Sequence, residues 1–294
     1  MTAETQTAAM RVLSALLEAR TGQVLAENRM WRMETSLKPV LRANGLVTLE
    51  ELVGRLLADD KAGTLAEDIV NALLNNESSF FRDNHVFQML ARELLPAIAE
   101  RRKDRTLRIW SAGCSTGQEA YSLAMAIRNN AEAWKGWRIH IAATDVSTAA
   151  VAQARSGTYS SIDVQRGLAI NDLLLWFEPA GDDWRINAEL RHMIDFRVDN
   201  LFDSKLPAGQ FDLILCRNVL LYFSAERRRQ VFDELARHSH AGSFLLLGAG
   251  ETVIDQTADF SSSHKFPGIY GRVREGAVET APQIAQPARG AGRF

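Results

Sequence analysis

A short glycine-rich segment, residues 113–117 (GCSTG), stands between a run typical of a β-strand and a run typical of a helix. Glycines at such a turn let a ligand approach the backbone closely, and the N-terminus of the following helix favours negative charge. The spacing does not match the dinucleotide-binding pattern G-x-G-x-x-G. It does match G-x-S-x-G, the nucleophile elbow of serine hydrolases, with Ser115 as nucleophile. A plain tight turn is the third interpretation of these residues.

The hydrolase interpretation requires partners for Ser115. A nucleophile elbow follows a sheet that also supplies an oxyanion loop, and an acid and a histidine complete the triad. The segment follows the first predicted strand, only helices precede that strand, and nothing singles out His238, His240 or His264 as the base. Reaction of Ser115 with a fluorophosphonate probe would support this alternative.

An acidic residue, Asp145, ends the next predicted strand. In nucleotide-binding sheets, an acid about 20 residues beyond the glycine turn accepts hydrogen bonds from ribose hydroxyls. Asp145 could instead cap the helix that follows, a role that Ser147 could also fill. The glycine turn and the acid together favour a ligand that contains adenosine.

Residues 76–83 (NESSFFRD) combine two adjacent aromatic rings with polar side chains. A packed loop that joins the helical and α/β parts would explain Phe80 and Phe81. We expect these rings to anchor the loop while Asn76, Ser78 and Arg82 face a ligand.

Polar side chains also follow two later strands. Arg217, Asn218 and Tyr222 come just after an apolar strand, and residues 199–201 follow another. Strand ends line the ligand crevice in open α/β sheets, so these side chains are candidates for the same site. A surface ion pair for Arg217 and simple packing for Tyr222 are the alternatives.

Strand and helix patterns alternate after about residue 106, which predicts a mostly parallel sheet covered on both faces. Residues 176–191, with a turn near 181–183, predict a small inserted hairpin. The predicted strands are residues 107–112, 138–144, 194–198, 211–216, 243–248 and 268–273, and the predicted helices are 119–127, a run from Ser147, and 225–238.

Residues up to about 100 predict helices and no strands. Apolar residues recur at helical spacing over 10–17, and a second helix over 28–42 contains Pro39, which should kink or break it. Thr48 and Glu51 fit a capping box at the start of a third helix. The expected divisions are a helical domain at 1–75, a linker and helix at 76–105, an α/β domain at 106–273 and a disordered tail at 274–294.

Composition excludes several classes of protein. Hydrophobic residues make up 46% and charged residues 24%, as in soluble globular proteins, and the net charge of -2 gives nucleic-acid binding no support. No apolar run approaches the ~20 residues of a membrane span, and the first residues lack a secretory signal. Cys114 and Cys216 show no metal-ligand spacing. We expect a cytoplasmic protein with free thiols, no metal, no nucleic acid and no membrane insertion.

Together, these segments resemble the CheR-type chemotaxis receptor methyltransferases. The resemblance covers roughly residues 13–273 and rests on NESSFFRD, RIWSAGCSTGQEAYSLAM, ATDVSTAAVAQARSGTY, DNLFD and FDLILCRNVLLYF, in the family's order. It implies an α/β fold with a Rossmann-like S-adenosylmethionine domain, a small inserted β subdomain and an all-helical N-terminal domain. The implied reaction methylates glutamates of a chemoreceptor and leaves glutamate methyl esters and S-adenosylhomocysteine.

The resemblance also implies roles for the candidate residues. Arg82 and Tyr222 are the implied catalytic residues, expected to orient the acceptor carboxylate and the methyl donor. The implied cofactor contacts are Asn76, Ser78 and Arg82 near the cofactor, Glu119 at its amino group, Asp145 at the ribose, Asn200 and Leu201 at the adenine, and Arg217 with Asn218 at the methionine end.

Some positions depart from the family's usual residues. Gln118 and Ala120 replace Glu and Pro beside the glycine turn, while Glu119 is retained. Ser36 stands where many members carry Arg, and Ala249 stands where His is usual.

The expected partner is the cytoplasmic helices of a methyl-accepting chemoreceptor. The basic face of residues 29–42 and the β subdomain are the expected docking surfaces, although an ordinary solvated helix face would show the same charges. The alternatives are methylation of another protein carboxylate in a non-motility pathway, a module that binds the cofactor without catalysis, and the Ser115 hydrolase.

Overall fold

A seven-stranded sheet with helices on both faces forms the centre of the protein, and a group of helices precedes it. The computed structural model describes residues 8–25, 30–58, 63–266 and 268–273. Arg29 of the predicted basic face and the predicted tail at 274–294 lie outside these ranges.

Four helices form the first part of the described chain, because apolar residues recur on one face of each helix. Thr48 and Glu51 make the predicted capping box: the Glu51 amide donates to Thr48 Oγ1 at 3.2 Å, and the Thr48 amide donates to Glu51 Oε2 at 3.2 Å. These helices are α1 (Ala8–Thr21), α2 (Trp31–Ala43), α3 (Leu49–Ala58) and α4 (Gly63–Leu73).

Pro39 was expected to kink or break α2, and the helix continues through it, so no break occurs. Leu37, Val40 and Leu41 on either side of the proline are buried in the helical core. Their burial outweighs the backbone hydrogen bond that proline removes. The described part of α2 begins at Trp31, and the predicted start at Asn28 lies in a segment outside the described ranges.

Three short helical segments connect the first helices to the sheet. They are α5 (Asn84–Met89), a π-helical turn (Leu90–Leu94) and α6 (Leu95–Ala99). The sequence predicted one helix here and gave no sign of the π-turn. Leu90 and Leu94 are fully buried, so packing into the core accompanies the wider turn.

The sheet part of the chain contains ten strands and further helices among the described residues. The strands are β1 (Thr106–Ala112), β2 (Arg138–Asp145), β3 (Thr158–Tyr159), β4 (Phe177–Ala180), β5 (Asp183–Ile186), β6 (Ile194–Val198), β7 (Phe211–Cys216), β8 (Ser239–Leu247), β9 (Phe260–Ser262) and β10 (Ile269–Arg272). The helices are α7 (Gln118–Arg128), α8 (Thr148–Ser156), α9 (Ser161–Gln165), α10 (Ile170–Trp176), α11 (Ala188–Arg191) and α12 (Ala225–His238), with 3-10 turns at Ala131–Trp134 and Leu220–Tyr222.

The main sheet has the order β6-β2-β1-β7-β8-β10-β9. The first five strands pair in parallel, and β10 pairs antiparallel to both β8 and β9. After β6, the chain returns to the other side of β1 to add β7, so the strand order reverses between β1 and β7. Ligands bind in the crevice at the carboxyl ends of strands at such a switch point.

Alternate residues of β1 pack into different hydrophobic layers. Leu107 and Ile109 belong to the layer with α7, whereas Trp110 and Ala112 belong to the layer with α12. Because side chains of a strand alternate in direction, both faces of the sheet are buried at this position. A third core joins α1 to α4, as the helical periodicity predicted.

A separate three-stranded sheet has the order β3-β5-β4. It contains the predicted hairpin, whose turn includes Gly181 at φ 68°. The sequence did not predict β3 or β9, which are only two and three residues long. Strand β8 also begins at Ser239, four residues before its predicted start at 243.

Within the described ranges, no helix is both long enough and apolar enough to cross a membrane.

Candidate cofactor site

A cavity of about 900 Å³, counting the space open to solvent at its mouth, lies at the carboxyl ends of β1, β2 and β7. All of the residues expected at the site line this one cavity. They are Asn76, Ser78, Arg82, Glu119, Asp145, Asn200, Leu201, Arg217, Asn218 and Tyr222.

The glycine turn forms one wall of the cavity with its backbone. Gly117 lies at φ 94° and Ser115 at φ 51°, so the chain turns sharply between β1 and α7. At Gly113, a Cβ atom would lie 2.5 Å from Val219, so a larger residue would not fit. The glycines therefore allow the predicted turn and let Val219 pack against Gly113, while the approach of a ligand to this backbone stays a prediction.

Asp145 holds this turn from the end of β2. Its Oδ2 accepts the Ser115 amide at 2.8 Å, and its Oδ1 accepts the Ser147 amide at 2.9 Å. Ser147 caps α8 by accepting the Ala150 amide at 3.1 Å, which is the role left open between Asp145 and Ser147. Burial raises the pKa of Asp145 although these amides oppose the shift.

A buried ion pair also lines the cavity. Arg217 Nη1 lies 3.2 Å from Glu119 Oε2, and Ser111 Oγ donates to Glu119 Oε1 at 2.9 Å. Arg217 also pairs with Asp83 and donates to the Arg82 carbonyl oxygen at 3.2 Å. Burial raises the pKa of Glu119, and the positive charge of Arg217 opposes that shift. A surface ion pair for Arg217 is therefore excluded, since its side chain is 2% exposed.

One polar atom of this pair lacks a partner. Arg217 Nε is buried and has no hydrogen-bond acceptor among the described residues. Buried donors are nearly always satisfied in folded proteins, so an orphaned donor beside a cavity suggests that a ligand completes its hydrogen bonding.

The aromatic rings of the loop at residues 76–83 pack into the core, as predicted: Phe80 is buried there and Phe81 packs against it partly buried. Phe80 is fully buried and packs edge-on against Tyr159 and Phe177, with ring centroids 5.0 and 5.5 Å apart. Gly167 lies directly on this loop, because a Cβ atom there would be 2.0 Å from the Phe80 carbonyl oxygen. A salt bridge between Arg166 and Glu77, at 3.1 Å, adds a second link.

The segment after β7 carries Tyr222 to the cavity. Asn218 adopts a left-handed conformation at φ 59°, which redirects the chain at the end of the strand. Asn75 Nδ2 donates to the Tyr222 hydroxyl oxygen at 2.6 Å. The Val24 amide donates to the Tyr222 carbonyl oxygen at 2.8 Å, and Gln23 forms an isolated bridge with Phe223.

The last predicted pair lies after β6. Leu201 is buried, and Asn200 donates to the Arg20 carbonyl oxygen at 3.3 Å. Asp199 Oδ2 accepts the Ser204 hydroxyl at 2.6 Å and so holds the turn that presents both residues.

Some lining residues were missed by sequence reasoning. Three polar ones end α1 or follow α1 and α4, and three apolar ones lie in α5 and in the segment after β7. They are Thr21, Gln23, Asn75, Phe87, Val219 and Phe223. Asp199 also lines the cavity, as expected for the residues that follow β6.

A smaller cavity of about 520 Å³ adjoins the first. Gln23, Asn75 and Tyr222 line both cavities, and α2 supplies Arg32 and Ser36 to the smaller one. The two cavities therefore meet at Tyr222, between the first helices and the sheet.

The contacts of Ser115 do not favour a hydrolase. Its hydroxyl donates to the Asn76 carbonyl oxygen at 2.7 Å. His238 contacts the Pro207 carbonyl oxygen and Glu234, and His240 contacts Asp212. No histidine lines the cavity in the part of the chain that the structure describes.

The donor set suits an adenosyl amino acid. A carboxylate that ends a strand suits a ribose diol, a buried acid suits an ammonium, and an orphaned guanidinium nitrogen suits a carboxylate. Asp145, Glu119 and Arg217 supply these three groups around one cavity. Across the described ranges, no cluster of His, Cys, Asp and Glu side chains could hold a metal ion.

The chain is similar in sequence to a known family and to several curated proteins. Residues 76–267 match the family described as "CheR methyltransferase, SAM binding domain". Chemotaxis protein methyltransferase Cher2 of Pseudomonas putida is 34% identical over 258 residues, which are 86% of this chain and 93% of that protein.

Two further relatives have similar coverage. Chemotaxis protein methyltransferase 1 of Pseudomonas aeruginosa is 35% identical over 88% of this chain and 95% of its own length. The chemotaxis protein methyltransferase of Vibrio parahaemolyticus is 34% identical over 90% of this chain and 96% of its own length. The similarity thus extends over the first helices as well as the sheet.

Proposed function

Because the chain belongs to the CheR methyltransferase family and uses S-adenosylmethionine, we propose that it methylates glutamate side chains of a chemoreceptor. The products would be glutamate methyl esters and S-adenosylhomocysteine, formed in the cytoplasm during signal adaptation. The observation that carries this proposal is the convergence of ten side chains, chosen from separate motifs, on one cavity.

We also propose how the chain divides for this task. Residues 1–75 would form the helical domain, 76–105 the connection, and 106–273 the methyltransferase domain, with the inserted hairpin at about 176–191. The three separate hydrophobic cores support this division, since the core formed by α1 to α4 is distinct from the two layers on the sheet.

The cofactor would lie along the carboxyl ends of β1 and β2. Asp145 would accept hydrogen bonds from the ribose, and Leu201 with Asn200 would flank the adenine. Glu119 would bind the ammonium of the methionine end, and Arg217 Nε would donate to its carboxylate. The orphaned Nε supports this last contact, because a bound carboxylate satisfies the buried donor.

When bound, the sulfonium supplies the electrophilic methyl group for an in-line displacement. The acceptor needs no general base, because a glutamate with a pKa of about 4.3 is ionised near neutral pH. The chain therefore has to position the carboxylate and exclude water. Tyr222 lies where the two cavities meet, so its hydroxyl can orient the acceptor beside the methyl donor, and Arg82 at the cavity wall can attract the carboxylate.

The acceptor side chain would enter through the smaller cavity. Arg32 is the cation of α2 that lines it, and Lys38 and Arg42 extend the basic face along the helix. An acidic receptor helix would then dock on α2, with Ser36 leaving space where many family members carry arginine. The three-stranded insertion would offer a second contact through its edge strand β4.

The test is transfer of labelled methyl groups from S-adenosylmethionine to cytoplasmic fragments of chemoreceptors. Methyl esters release methanol in mild alkali, whereas methylated amines do not, so the label must be lost as a volatile product. Labelling of receptor fragments by wild type is expected, and Tyr222→Phe should reduce kcat by about tenfold to a hundredfold. Tyr270→Phe, in strand β10, is the matched control and should behave as wild type.

Two outcomes would contradict the proposal. Absence of label on any receptor fragment, with folded protein that binds S-adenosylhomocysteine, would point to another protein carboxylate as the acceptor. Alkali-stable label would exclude ester formation altogether.

A further inference from the structure

The carboxylate of Glu251 holds the segment that brings Tyr222 to the site. We propose that Glu251 is a positioning residue for methyl transfer, acting through Tyr222 rather than through contact with the cofactor. This inference rests on the proposed function. Glu251 does not line the cavity, and the sequence marked it only as part of the segment GAGE.

Three backbone amides converge on this one side chain. Oε2 accepts the Asn218 amide at 2.8 Å and the Gly248 amide at 2.8 Å, and Oε1 accepts the Leu220 amide at 2.8 Å. Hydrogen bonds to a charged acceptor are about twice as strong as neutral ones, so three of them restrain the backbone firmly. The restrained residues are those that lead from the end of β7 into the turn containing Tyr222.

The backbone around Glu251 is closely packed, which leaves little space for another arrangement of the ends of β7 and β8. At Gly248, a Cβ atom would lie 2.8 Å from the Asn218 backbone nitrogen and 2.8 Å from Glu251 Oε2. Asn218 itself has φ 59°, a left-handed conformation that asparagine tolerates better than most residues, and its amide is held there by Glu251. The ends of β7 and β8 are thus joined through the carboxylate, because the glycine lets them approach.

Other elements restrain the two ends of the same segment. Arg217 is fixed by Glu119 and Asp83, and Tyr222 accepts a hydrogen bond from Asn75. Glu251 acts between these points, on Asn218 and Leu220. Loss of its bonds would free the middle of the segment, while Asp145 at the end of β2 and Glu119 in α7 would still hold the cofactor.

Loss of the Glu251 bonds should therefore slow methyl transfer while leaving cofactor binding nearly unchanged. A shift of about 1 Å in a group that aligns the reactants can cost about a hundredfold in rate. We expect Glu251→Gln to lower kcat at least about tenfold, with the Kd for S-adenosylhomocysteine changed by less than about threefold. The isosteric glutamine keeps one acceptor oxygen for Asn218 and Gly248 but presents an amide group to the Leu220 amide.

The experiment is a double-mutant cycle with Glu251→Gln and Tyr222→Phe, measured by receptor methylation and by calorimetric titration with S-adenosylhomocysteine. If Glu251 acts through Tyr222, Glu251→Gln should lower kcat far less in the Tyr222→Phe background than in wild type. Asp259→Asn is the matched control, because Asp259 also accepts a structural hydrogen bond, from Arg272 in β10, but does not line the cavity. It should leave kcat unchanged.

Equal losses of kcat in both backgrounds, or wild-type kcat in Glu251→Gln, would overturn the inference. If the glutamine variant does not fold, Glu251→Asp keeps the charge on a shorter side chain and should show the same selective loss. A wild-type protein that binds the cofactor product but methylates no receptor would instead refute the proposed function, so the two failures are distinguishable.

Discussion

The backbone amide of Ser115 donates a 2.8 Å hydrogen bond to the carboxylate of Asp145. The acid at the end of β2 thereby holds the glycine turn that follows the neighbouring strand β1. Ser115 has a positive φ of 51°, and the ionic acceptor stabilises that conformation. Two features that the sequence suggested separately are therefore one structural unit.

The first prediction concerns this unit. Asp145→Ala removes the acceptor for the turn and the proposed acceptor for the ribose, so the affinity for S-adenosylhomocysteine should fall about tenfold to a hundredfold or more, from about 1.5–3 kcal/mol per charged hydrogen bond. Calorimetric titration measures the affinity. Asp182→Asn, in the exposed hairpin turn, is the control, and equal affinities in both variants would contradict the prediction.

Protonation of Asp145 should have the same effect. Burial raises its pKa above the usual value, so the acceptor is lost at a higher pH than for an ordinary aspartate as the solution is acidified. The affinity of wild type should fall with decreasing pH while that of Asp145→Asn stays nearly constant over the same range. If the affinity of both proteins falls in parallel as the pH decreases, a group other than Asp145 is responsible for the pH dependence.

The second prediction concerns the pair of Arg217 and Glu119. Arg217→Met leaves Glu119 buried without its cation, and breaking a buried pair costs about 3–5 kcal/mol. Unfolding in urea should show a loss of that order, together with loss of cofactor binding. The double variant Arg217→Met with Glu119→Gln should recover part of the stability without recovering affinity. Recovery of both would mean that the pair has no binding role.

The third prediction separates steric contact from backbone strain. Gly167 and Gly181 have φ of 91° and 68°, but a Cβ atom would meet the Phe80 carbonyl oxygen only at Gly167. Both alanine variants lose about 1 kcal/mol from the positive φ. Gly167→Ala should lose more and should also weaken cofactor binding, because it displaces the loop at residues 76–83. Equal unfolding free energies would show that the loop adapts without cost.

The fourth prediction concerns stability and pH. Asp212 raises the pKa of His240 by accepting its hydrogen bond at 3.1 Å. The folded pKa lies above that of the unfolded chain, so the stabilisation is complete below about pH 6.5 and is lost as the pH rises through the folded value. The stability difference between wild type and His240→Gln should therefore be larger at pH 6 than at pH 9. A difference that grows with pH would contradict this assignment.

Local pattern predicted much of the fold. Strands β6 and β7 and helix α12 match their predicted bounds, because each carries a continuous apolar or amphipathic pattern that depends only on neighbouring residues. The short strands β3 and β9 were missed, since pairing partners distant in sequence stabilise so few residues. Of the kink or break expected at Pro39, the break does not occur, because burial on both sides of the proline outweighs its local preference.

Local patterns indicate the α/β class, the glycine turn and the acid at the end of β2, and the family's motifs indicate the residues expected at the site. The folded structure adds that these residues share one cavity, that Arg217 pairs with Glu119 across 98 positions, and that Asn75 contacts Tyr222 across 147. Glu251 likewise gains its three amide partners only when β7 and β8 lie side by side. The physical reason is that hydrophobic patterns are local, whereas the pairing of buried polar groups depends on which strands the folded sheet brings together.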